Sequence, residues 1–317
     1  KLMPNTNDFF NDGIIFNNHF SNSEWSLPSF ASIFTGLYSH KHRMVDPNKI
    51  YNVNEFETLS SVFKNKNFLN FQIGSTARSN PGYGYCHNFD RIIYKRNMNC
   101  HETIFNFIEH NLTFKNVNQF NLISFFDLHH FLNGNASILS QSNLNLDYLK
   151  ITKNTKSIHQ EYNETKIEIL KNEIFRLDKH LSLVYDHIKK HFSSENTLVA
   201  LFSDHGYSYL SNANGKLRND ITKVPFLIKG RDLNPAITNE LTSNVDIFKS
   251  IIKCAGYEYK NTNLDSNLPI VLGGNIENKY IVSESIHPNS LYESVLRDNN
   301  NKFYFKTNNV IKNGKIN

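Results

Sequence analysis

The sequence feature that limits the fold most is a long amphipathic helix pattern followed, after a short turn, by the pattern of a buried strand. Apolar side chains recur at three- and four-residue steps between residues 162 and 192, which places them on one helix face. After a polar turn, residues 197–202 form a continuous apolar run, typical of a buried strand in a parallel sheet. Residues 121–126 and 224–228 resemble it. The pattern predicts an α/β fold with a mostly parallel central sheet flanked by helices.

The C-terminal part of the chain has a different texture. Short apolar runs separated by turn residues occur at 280–282, 294–296 and 303–305. They predict a small antiparallel sheet. We therefore predict an α/β core over residues 1–262 and a small α+β subdomain over residues 263–317 that packs on it. Residues 133–160 are rich in Asn and Ser, and we expect them to form a long surface insertion near the functional site, whose candidate residues are given below.

Composition excludes several kinds of partner. The chain has 317 residues, of which 39% are hydrophobic and 20% charged, as expected of a folded globular protein. Its net charge of +5 is spread out, and no run of Lys or Arg is long enough for a nucleic-acid or membrane patch. No apolar run reaches the length of a transmembrane helix. We expect no nucleic-acid partner and no membrane segment in this chain, while the basic bias suits an anionic substrate.

The three cysteines, Cys86, Cys100 and Cys254, are too few and too scattered for a disulfide framework. No Cys-x-x-Cys zinc pattern is present either.

Residues 25–36 carry the first candidate site. Pro28 favours the first turn of a helix, Ser26 precedes it at the cap, and Gly36 is placed to end the helix. A hydroxyl at this point lies among free backbone N–H groups that stabilise an anion, which suits a nucleophile attacking a sulfate or phosphate ester. Taken alone, the segment is explained more simply by a serine that only caps the helix.

The second candidate site, Asp204-His205-Gly206, directly follows the apolar run at 197–202. Ligands in open α/β sheets bind beyond the carboxyl ends of the strands, and Asp and His are both metal ligands. Gly206 would let the backbone turn close to the site. A strand-end turn with a capping Asp and a surface His fits the triplet equally well.

A third candidate is the pair His129 and His130, again after an apolar run. One of the two could contact the anionic group of a substrate or protonate its leaving group. The alternative is a pair of partly exposed histidines without a role in chemistry.

Taken together and in order, these segments resemble the sulfatase family of the alkaline phosphatase superfamily over nearly the whole chain. Residues 26–38 resemble the nucleophile helix of the family, and residues 203–206 resemble its central signature. The other matching segments are residues 3–16, 40–42, 58–74, the long helix with Asp178, Lys216, residues 224–228, residues 244–247 and residues 255–256.

The resemblance implies a metal-dependent site built around a serine nucleophile. Ser26 would be the nucleophile, and Asp204 and His205 would bind a divalent metal together with the Ser26 oxygen. The metal would be calcium, or zinc or manganese for a phosphate ester. It would bind a substrate oxygen and help to ionise the nucleophile. A covalent intermediate on Ser26 would then be released by water or by an acceptor alcohol.

The resemblance also implies residues that contact the substrate. Lys216 and His129 would act in catalysis on the anionic group. His130, and His42 from the basic turn at residues 40–42, would bind the substrate.

Three departures from the family pattern bear on the chemistry. Sulfatases proper carry a formylglycine made from the Cys or Ser of a Cys/Ser-x-Pro-x-Arg motif, and here Phe30 occupies the Arg position. Phe cannot orient an anionic group as a guanidinium does, so we do not expect formylglycine at Ser26. The Gly-Lys of the family appears as Gly74-Ser75, which removes a second charge. The first strand of the family, with its metal-binding carboxylates, would precede Met3, and we expect a fragment with an incomplete metal site.

Three functions remain open from sequence. The leading one is a metal-dependent hydrolase of a sulfate or phosphate ester on a small molecule or glycan, with Ser26 as nucleophile. The second is a phosphotransferase that moves a phospho-head group onto a glycan or lipid. The third is a degenerate homologue without activity. The sequence contains no Gly-x-Ser-x-Gly elbow, no phosphate-binding loop and no Rossmann fingerprint.

Overall fold

The computed structural model describes the chain in twelve stretches. These are residues 2–51, 55–75, 78, 83–84, 87–95, 98–130, 162–212, 215–259, 263–275, 279–287, 289–312 and 315–316. The predicted insertion at residues 133–160, Cys86 and the side chain of His130 lie outside this description.

The α-helices of the described part follow one another in chain order. They are α1 (Pro4–Phe9), α2 (Ser26–Thr35), α3 (Ser39–His42), α4 (Leu59–Lys64), α5 (Cys100–Thr113), α6 (Asp127–His130), α7 (Glu164–His191), α8 (Asn219–Thr222) and α9 (Ile247–Cys254). No helix in the described ranges has the length and apolar character needed to cross a bilayer.

The β-strands are interspersed with these helices up to Cys254, and the last four strands follow one another with no α-helix between them in the described residues. They are β1 (Ile14–Phe16), β2 (His19–Phe20), β3 (Leu69–Gly74), β4 (Arg91–Tyr94), β5 (Gln119–Ser124), β6 (Val199–Phe202), β7 (Phe226–Lys229), β8 (Ala236–Thr238), β9 (Thr242–Ser243), β10 (Ile281–Ser285), β11 (Leu291–Arg297), β12 (Lys302–Lys312) and β13 (Lys315–Ile316).

The central strands confirm the predicted α/β class. Strand β3 pairs in parallel with both β4 and β5, β1 pairs in parallel with β8, and β2 pairs in parallel with β9. The sheet that contains β6 has the order β6-β7-β1-β8, and there β7 is antiparallel to both β6 and β1. The apolar run at residues 197–202 therefore predicted a strand correctly, but within the described residues β6 pairs with the antiparallel β7 alone, and each of its residues is half-buried. Such a run predicts a strand but neither its direction nor its full burial.

The predicted C-terminal sheet is also present. Strands β10 to β13 form an antiparallel meander, and Arg297 pairs with Lys302 across the turn at residues 298–301. This sheet packs on the preceding core, because Lys279 forms a buried ion pair with Asp246, and Arg297 donates to the Thr222 hydroxyl at 2.9 Å. A single parallel bridge joins Ser23 to Glu284, so one edge of the sheet lies beside the chain that leads into α2.

Helix α2 lies inside the main apolar core. Every residue from Leu27 to Thr35 is buried, so this helix has no solvent-exposed face beyond its first residue. Pro28 lies in its first turn, and Gly36 ends it with a left-handed backbone (φ 67°), as predicted. Phe248 packs against Gly36 so closely that a Cβ there would lie 3.1 Å from the Phe248 ring.

The long helix α7 carries one buried carboxylate that holds the start of the chain. Asp178 is fully buried and accepts hydrogen bonds from the backbone N–H groups of Asn5 and Thr6, at 2.9 and 2.8 Å. The Thr6 hydroxyl donates to it as well, at 2.6 Å. The N–H groups of the first turn of α1 are thus satisfied by a side chain from another element, which fixes α1 against α7.

Candidate functional site

The hydroxyl of Ser26 lies at the N-terminus of α2 but does not cap it. Trp25 is the N-cap residue, Ser26 is the first helical residue, and no side chain caps this end. The Ser26 Oγ lies 3.2 Å from Nε2 of His205, on the loop after β6. Ser26 is half-buried, whereas the rest of α2 is buried. The structure therefore favours a reactive position over the simple cap that the sequence also allowed.

The hydrogen bonds of His205 fix which of its ring nitrogens carries the proton. Nδ1 lies 2.8 Å from the carbonyl oxygen of Gly206. A carbonyl can only accept, so Nδ1 donates, and in a neutral imidazole Nε2 then keeps a lone pair. This lone pair faces Ser26, whose hydroxyl donates to it. His205 is thus arranged to take a proton from the serine or to bind a cation beside it.

Asp204 adds a carboxylate to the same group. Its Oδ2 lies 3.5 Å from His205 Nε2, and its Oδ1 accepts the backbone N–H of His205 at 2.9 Å. The side chains of Asp204 and His205 are 21% and 12% exposed, so solvent and a small ligand reach them. A carboxylate oxygen, an imidazole nitrogen and a hydroxyl oxygen thus lie together.

A buried polar cluster holds this loop in place. The Asn244 side chain donates to the backbone carbonyls of Asp204 at 3.0 Å and Ser203 at 3.3 Å, and to the Ser29 hydroxyl at 3.0 Å. Ser29 in turn donates to the Asp204 carbonyl at 2.6 Å. His19 fixes the other end of Asn244, with Nε2 2.8 Å from Oδ1, and burial lowers the pKa of His19 to about 3. The cluster ties α2 and the loop after β6 together.

Gly206 allows the loop to pass close to α8. Its N–H donates to the carbonyl of Ile221 at 2.6 Å, and a Cβ at this position would lie 2.2 Å from the carbonyl oxygen of Asp220. The contact that requires glycine is thus with the backbone of α8, and any larger residue would displace the loop.

The donor atoms fit a divalent cation in part. Asp204 Oδ2, His205 Nε2 and Ser26 Oγ offer one carboxylate, one imidazole and one hydroxyl, a set that suits zinc or manganese better than calcium, which prefers oxygen ligands alone. Within the described ranges, no further His, Cys, Asp or Glu joins Asp204 and His205 in a three-ligand cluster.

A buried carboxylate, that of Glu24, lies two residues before Ser26 in sequence. Glu24 is 3% exposed and accepts hydrogen bonds from the hydroxyls of Ser285 at 2.7 Å and Ser23 at 3.0 Å. Burial raises the pKa of Glu24, and the positive charge of Lys216 acts in the opposite direction. Lys216 is half-buried. Because its charge acts on Glu24, it lies within electrostatic range of the chain that leads into Ser26.

His42 does not reach this site. It is 2% exposed, its Nδ1 accepts the backbone N–H of Met44 at 3.0 Å, and its Nε2 lies 3.2 Å from the Ser32 hydroxyl. Burial lowers the pKa of His42 to about 3, so the ring is neutral. The expectation that His42 binds substrate is therefore corrected, because this histidine packs in the core beside the middle of α2.

The other histidine pair lies on α6. The carbonyl of Leu128 accepts a hydrogen bond from the hydroxyl of Tyr207, which ties α6 to the loop that carries His205. His129 is exposed and its ring packs against Phe126, with centroids 4.6 Å apart. Phe30 and Ser75 stand where the family pattern has charged residues, and neither side chain is turned towards this site by the contacts it makes. Phe30 belongs to the apolar core, and the Ser75 hydroxyl donates to the carbonyl of Met98.

Sequence reasoning missed the residues that hold the site rather than line it. Ser29 and Asn244 were noted only as parts of longer resembling segments, and Glu24 and His19 were not noted. A signal was present in Ser29, one helical turn after Ser26, because residues three or four apart share a helix face. For Asn244 and His19 the chain offers no local signal.

The arrangement of sheets and helices is an alkaline phosphatase-like fold, which a protein in the alkaline phosphatase superfamily from Vibrio parahaemolyticus shares at 15% identity and a TM-score of 0.67. Within that class the chain belongs to the sulfatase family, because the family model described as Sulfatase matches residues 1–257. A search of curated proteins finds no significant match.

Solved structures share this fold at low sequence identity. A protein named BT4656, solved in complex with its substrate D-glucosamine-2-N,6-O-disulfate, is 14% identical, with 98% of this chain and 85% of that chain covered and a TM-score of 0.71. The phosphonate monoester hydrolase of Silicibacter pomeroyi is 15% identical, with coverage of 96% and 82% and a TM-score of 0.71. The lipoteichoic acid synthase LtaP of Listeria monocytogenes is 11% identical, with coverage of 94% and 75% and a TM-score of 0.68.

Proposed function

We propose that this chain hydrolyses a sulfate or phosphate ester through a covalent intermediate on Ser26. The observation that carries the proposal is the 3.2 Å contact between Ser26 Oγ and an unprotonated His205 Nε2. Membership of the sulfatase family supports an ester hydrolase or transferase in general. The phosphonate monoester hydrolase and the glucosamine disulfate complex among the similar folds support an anionic ester, on a small molecule or a glycan.

The position of Ser26 at the start of α2 supports its proposed role as the nucleophile. Free N–H groups at the first turn of α2 favour negative charge at the Ser26 oxygen and on the group being transferred. The hydroxyl proton leaves towards His205, the serine oxygen bonds to sulfur or phosphorus, and the bond to the ester oxygen breaks. The leaving oxygen takes a proton, for which His129 on α6 is the proposed donor. Water then attacks the intermediate and restores the hydroxyl.

Asp204 and His205 would hold a divalent cation beside Ser26 Oγ in place of that proton transfer, because Nε2 of His205 has a single lone pair and cannot both bind a cation and accept the serine proton. Such a cation polarises an oxygen of the substrate and lowers the pKa of the attacking hydroxyl when it is bound. Lys216 supplies positive charge on the approach to Ser26, and His130 remains a proposed substrate contact.

Phe30 separates this site from that of sulfatases proper. It lies one turn after Ser26 on the same helix face and is 8% exposed within the apolar core. A side chain without charge cannot orient the anionic group or the residue being modified, so we propose an unmodified serine and favour the phosphate ester as substrate.

A second candidate function is transfer of a phospho-head group to an acceptor alcohol on a glycan or lipid. The similarity of fold to a lipoteichoic acid synthase favours it. The first steps would be the same, and an alcohol would replace water in the last step. A third candidate is a homologue without activity. It would require that the hydrogen-bonded Ser26 and His205 take part in no reaction.

The test is an assay of the chain with each divalent metal on matched esters of one alcohol, namely an aryl sulfate, a phosphate monoester and a phosphodiester. We expect phosphoester turnover that vanishes in Ser26→Ala. An added acceptor alcohol should increase this turnover only if the chain is a transferase. Sulfate turnover alone would contradict the inference drawn from Phe30. Absence of turnover on all three, with metal bound, would favour the inactive homologue.

A further inference from the structure

A second group of metal-ligand side chains lies where α5 begins against α7. Cys100 and His101 are the first two residues of α5, and His180 lies on α7. One potential ligand atom from each lies within 4.8 Å of the other two, and Cys100 Sγ is 3.9 Å from Nδ1 of His101. The two imidazole rings meet edge to face with centroids 3.8 Å apart. Among the described residues this is the one cluster of three His, Cys, Asp or Glu ligands.

A hydrogen bond orients His180 as a ligand. Nδ1 of His180 donates to the backbone carbonyl of Arg176 at 2.8 Å, which leaves a lone pair on Nε2. Histidines that bind metals typically donate their other ring N–H to a carbonyl or carboxylate in this way.

The thiol of Cys100 has the surroundings of a buried sulfur ligand. It is fully buried, and the Nη1 of Arg176 lies 3.7 Å from its sulfur. A thiol that coordinates a metal is deprotonated outright, and the guanidinium would then donate to the thiolate.

Asp127 packs against the Cys100 end of this cluster. Its side chain is completely buried, and Oδ1 is bonded to Arg176 at 2.8 Å and to the backbone N–H of Cys100 at 3.2 Å. Its oxygens are not among the ligand atoms that lie within 4.8 Å of one another. Asp127 therefore holds Cys100 in place from outside the ligand set.

We propose that Cys100, His101 and His180 bind a zinc ion, with a solvent molecule in the fourth position. Thiolate and imidazole ligands together favour zinc over calcium or magnesium. Tetrahedral zinc, with Zn–S about 2.3 Å and Zn–N about 2.0–2.1 Å, needs ligand atoms roughly 3.3–3.8 Å apart. Because His101 is exposed, its side chain can move towards the other two ligands when an ion binds. The ion would join the first turn of α5 to α7.

Cobalt(II) tests the site, since a cobalt–thiolate bond gives a charge-transfer band in the near ultraviolet that oxygen and nitrogen ligands do not give. The full chain, stripped with a chelator, should develop one equivalent of this band and lose it when zinc is added. Cys100→Ser should abolish the band, and His180→Gln should weaken zinc binding at least tenfold. Circular dichroism establishes that each variant is folded.

Two control variants separate this site from others. Cys254→Ser and Asp204→Asn should both keep the band, because neither residue belongs to the cluster. Absence of a band in the parent chain would overturn the proposal, and so would a band that survives Cys100→Ser or disappears in Asp204→Asn. If Cys100→Ser does not fold, His180→Gln decides, and zinc binding as tight as in the parent chain would overturn the proposal.

Discussion

Two serines of helix α2 each lie at the same distance from a histidine, but the two serine–histidine pairs differ in chemistry. Ser26 Oγ lies 3.2 Å from His205 Nε2, and Ser32 Oγ lies 3.2 Å from His42 Nε2. At the first pair, Nδ1 of the histidine donates to a carbonyl, so Nε2 accepts from the serine. At the second pair, the N–H of Met44 donates to Nδ1 of His42, so Nε2 carries the proton and donates to the serine.

The comparison shows that a serine–histidine hydrogen bond does not by itself make a nucleophile. Only the first histidine can take the serine proton, because only there is Nε2 unprotonated. The first pair is also half-buried beside Asp204, whereas Ser32 and His42 are enclosed in the apolar core. Backbone groups near each histidine, and the access of solvent, therefore decide which pair is reactive.

The largest expected difference is in turnover of the two serine variants. Ser26→Ala should lower kcat by about a thousandfold or more, because the attacking atom is removed. Ser32→Ala should keep kcat within about threefold and lower the free energy of unfolding by about 1 kcal/mol through loss of one buried hydrogen bond. Both quantities are measured by steady-state kinetics and urea unfolding. A folded Ser32→Ala that is as inactive as Ser26→Ala would contradict the comparison.

The histidines should differ in the same direction and somewhat less. His205→Gln should lower kcat by about 10²–10⁴-fold, the range typical of a removed proton acceptor, with little change in melting temperature. His42→Gln should unfold more easily by about 1–3 kcal/mol and keep its turnover per folded molecule. Differential scanning calorimetry with active-site titration separates the two effects. Equal losses of turnover in both variants would show that His42 contributes to the reaction.

A smaller effect tests the buried cluster behind the first pair. Asn244→Ala releases the carbonyls of Ser203 and Asp204 and should lower kcat by about tenfold to a hundredfold with little change in KM, because the loop shifts. Asn70→Ala is the matched control, since Asn70 is also fully buried and donates to two backbone carbonyls, those of Ser60 and Asn88. It should lose similar stability without loss of kcat.

The last test is the dependence of stability on pH, which concerns the second pair alone. The pKa of His42 falls from its ordinary value to about 3 on folding, so the unfolded chain binds one more proton below pH 6.5. Its contribution to stability is complete above pH 6.5 and is lost as the pH falls towards 3, by about 1.4 kcal/mol per pH unit. Urea unfolding from pH 7 to 4 should show a shallower slope in His42→Gln by that amount. An unchanged slope would mean that His42 is charged in the fold.

Sequence alone predicted much of the fold and the start of α2 near Ser26, because those signals are local. Pro28, Gly36 and the apolar run at residues 197–202 act within a few residues, and each predicted element is present. The direction of β6, the burial of His42 and the clamp formed by Asn244 depend on contacts between distant parts of the chain. A basic turn with a buried histidine has the same sequence as one with an exposed histidine, so that prediction could only be corrected in three dimensions.

The central claim is that Ser26, in its unmodified form, becomes covalently bonded to the group being transferred. The most direct measurement is mass spectrometry of the chain quenched during turnover of a phosphate ester. We expect one added phosphoryl group on the peptide that contains Ser26, absent from Ser26→Ala and present in Ser32→Ala. Turnover without any modification of that peptide, or a peptide in which Ser26 has been oxidised to formylglycine, would contradict the account.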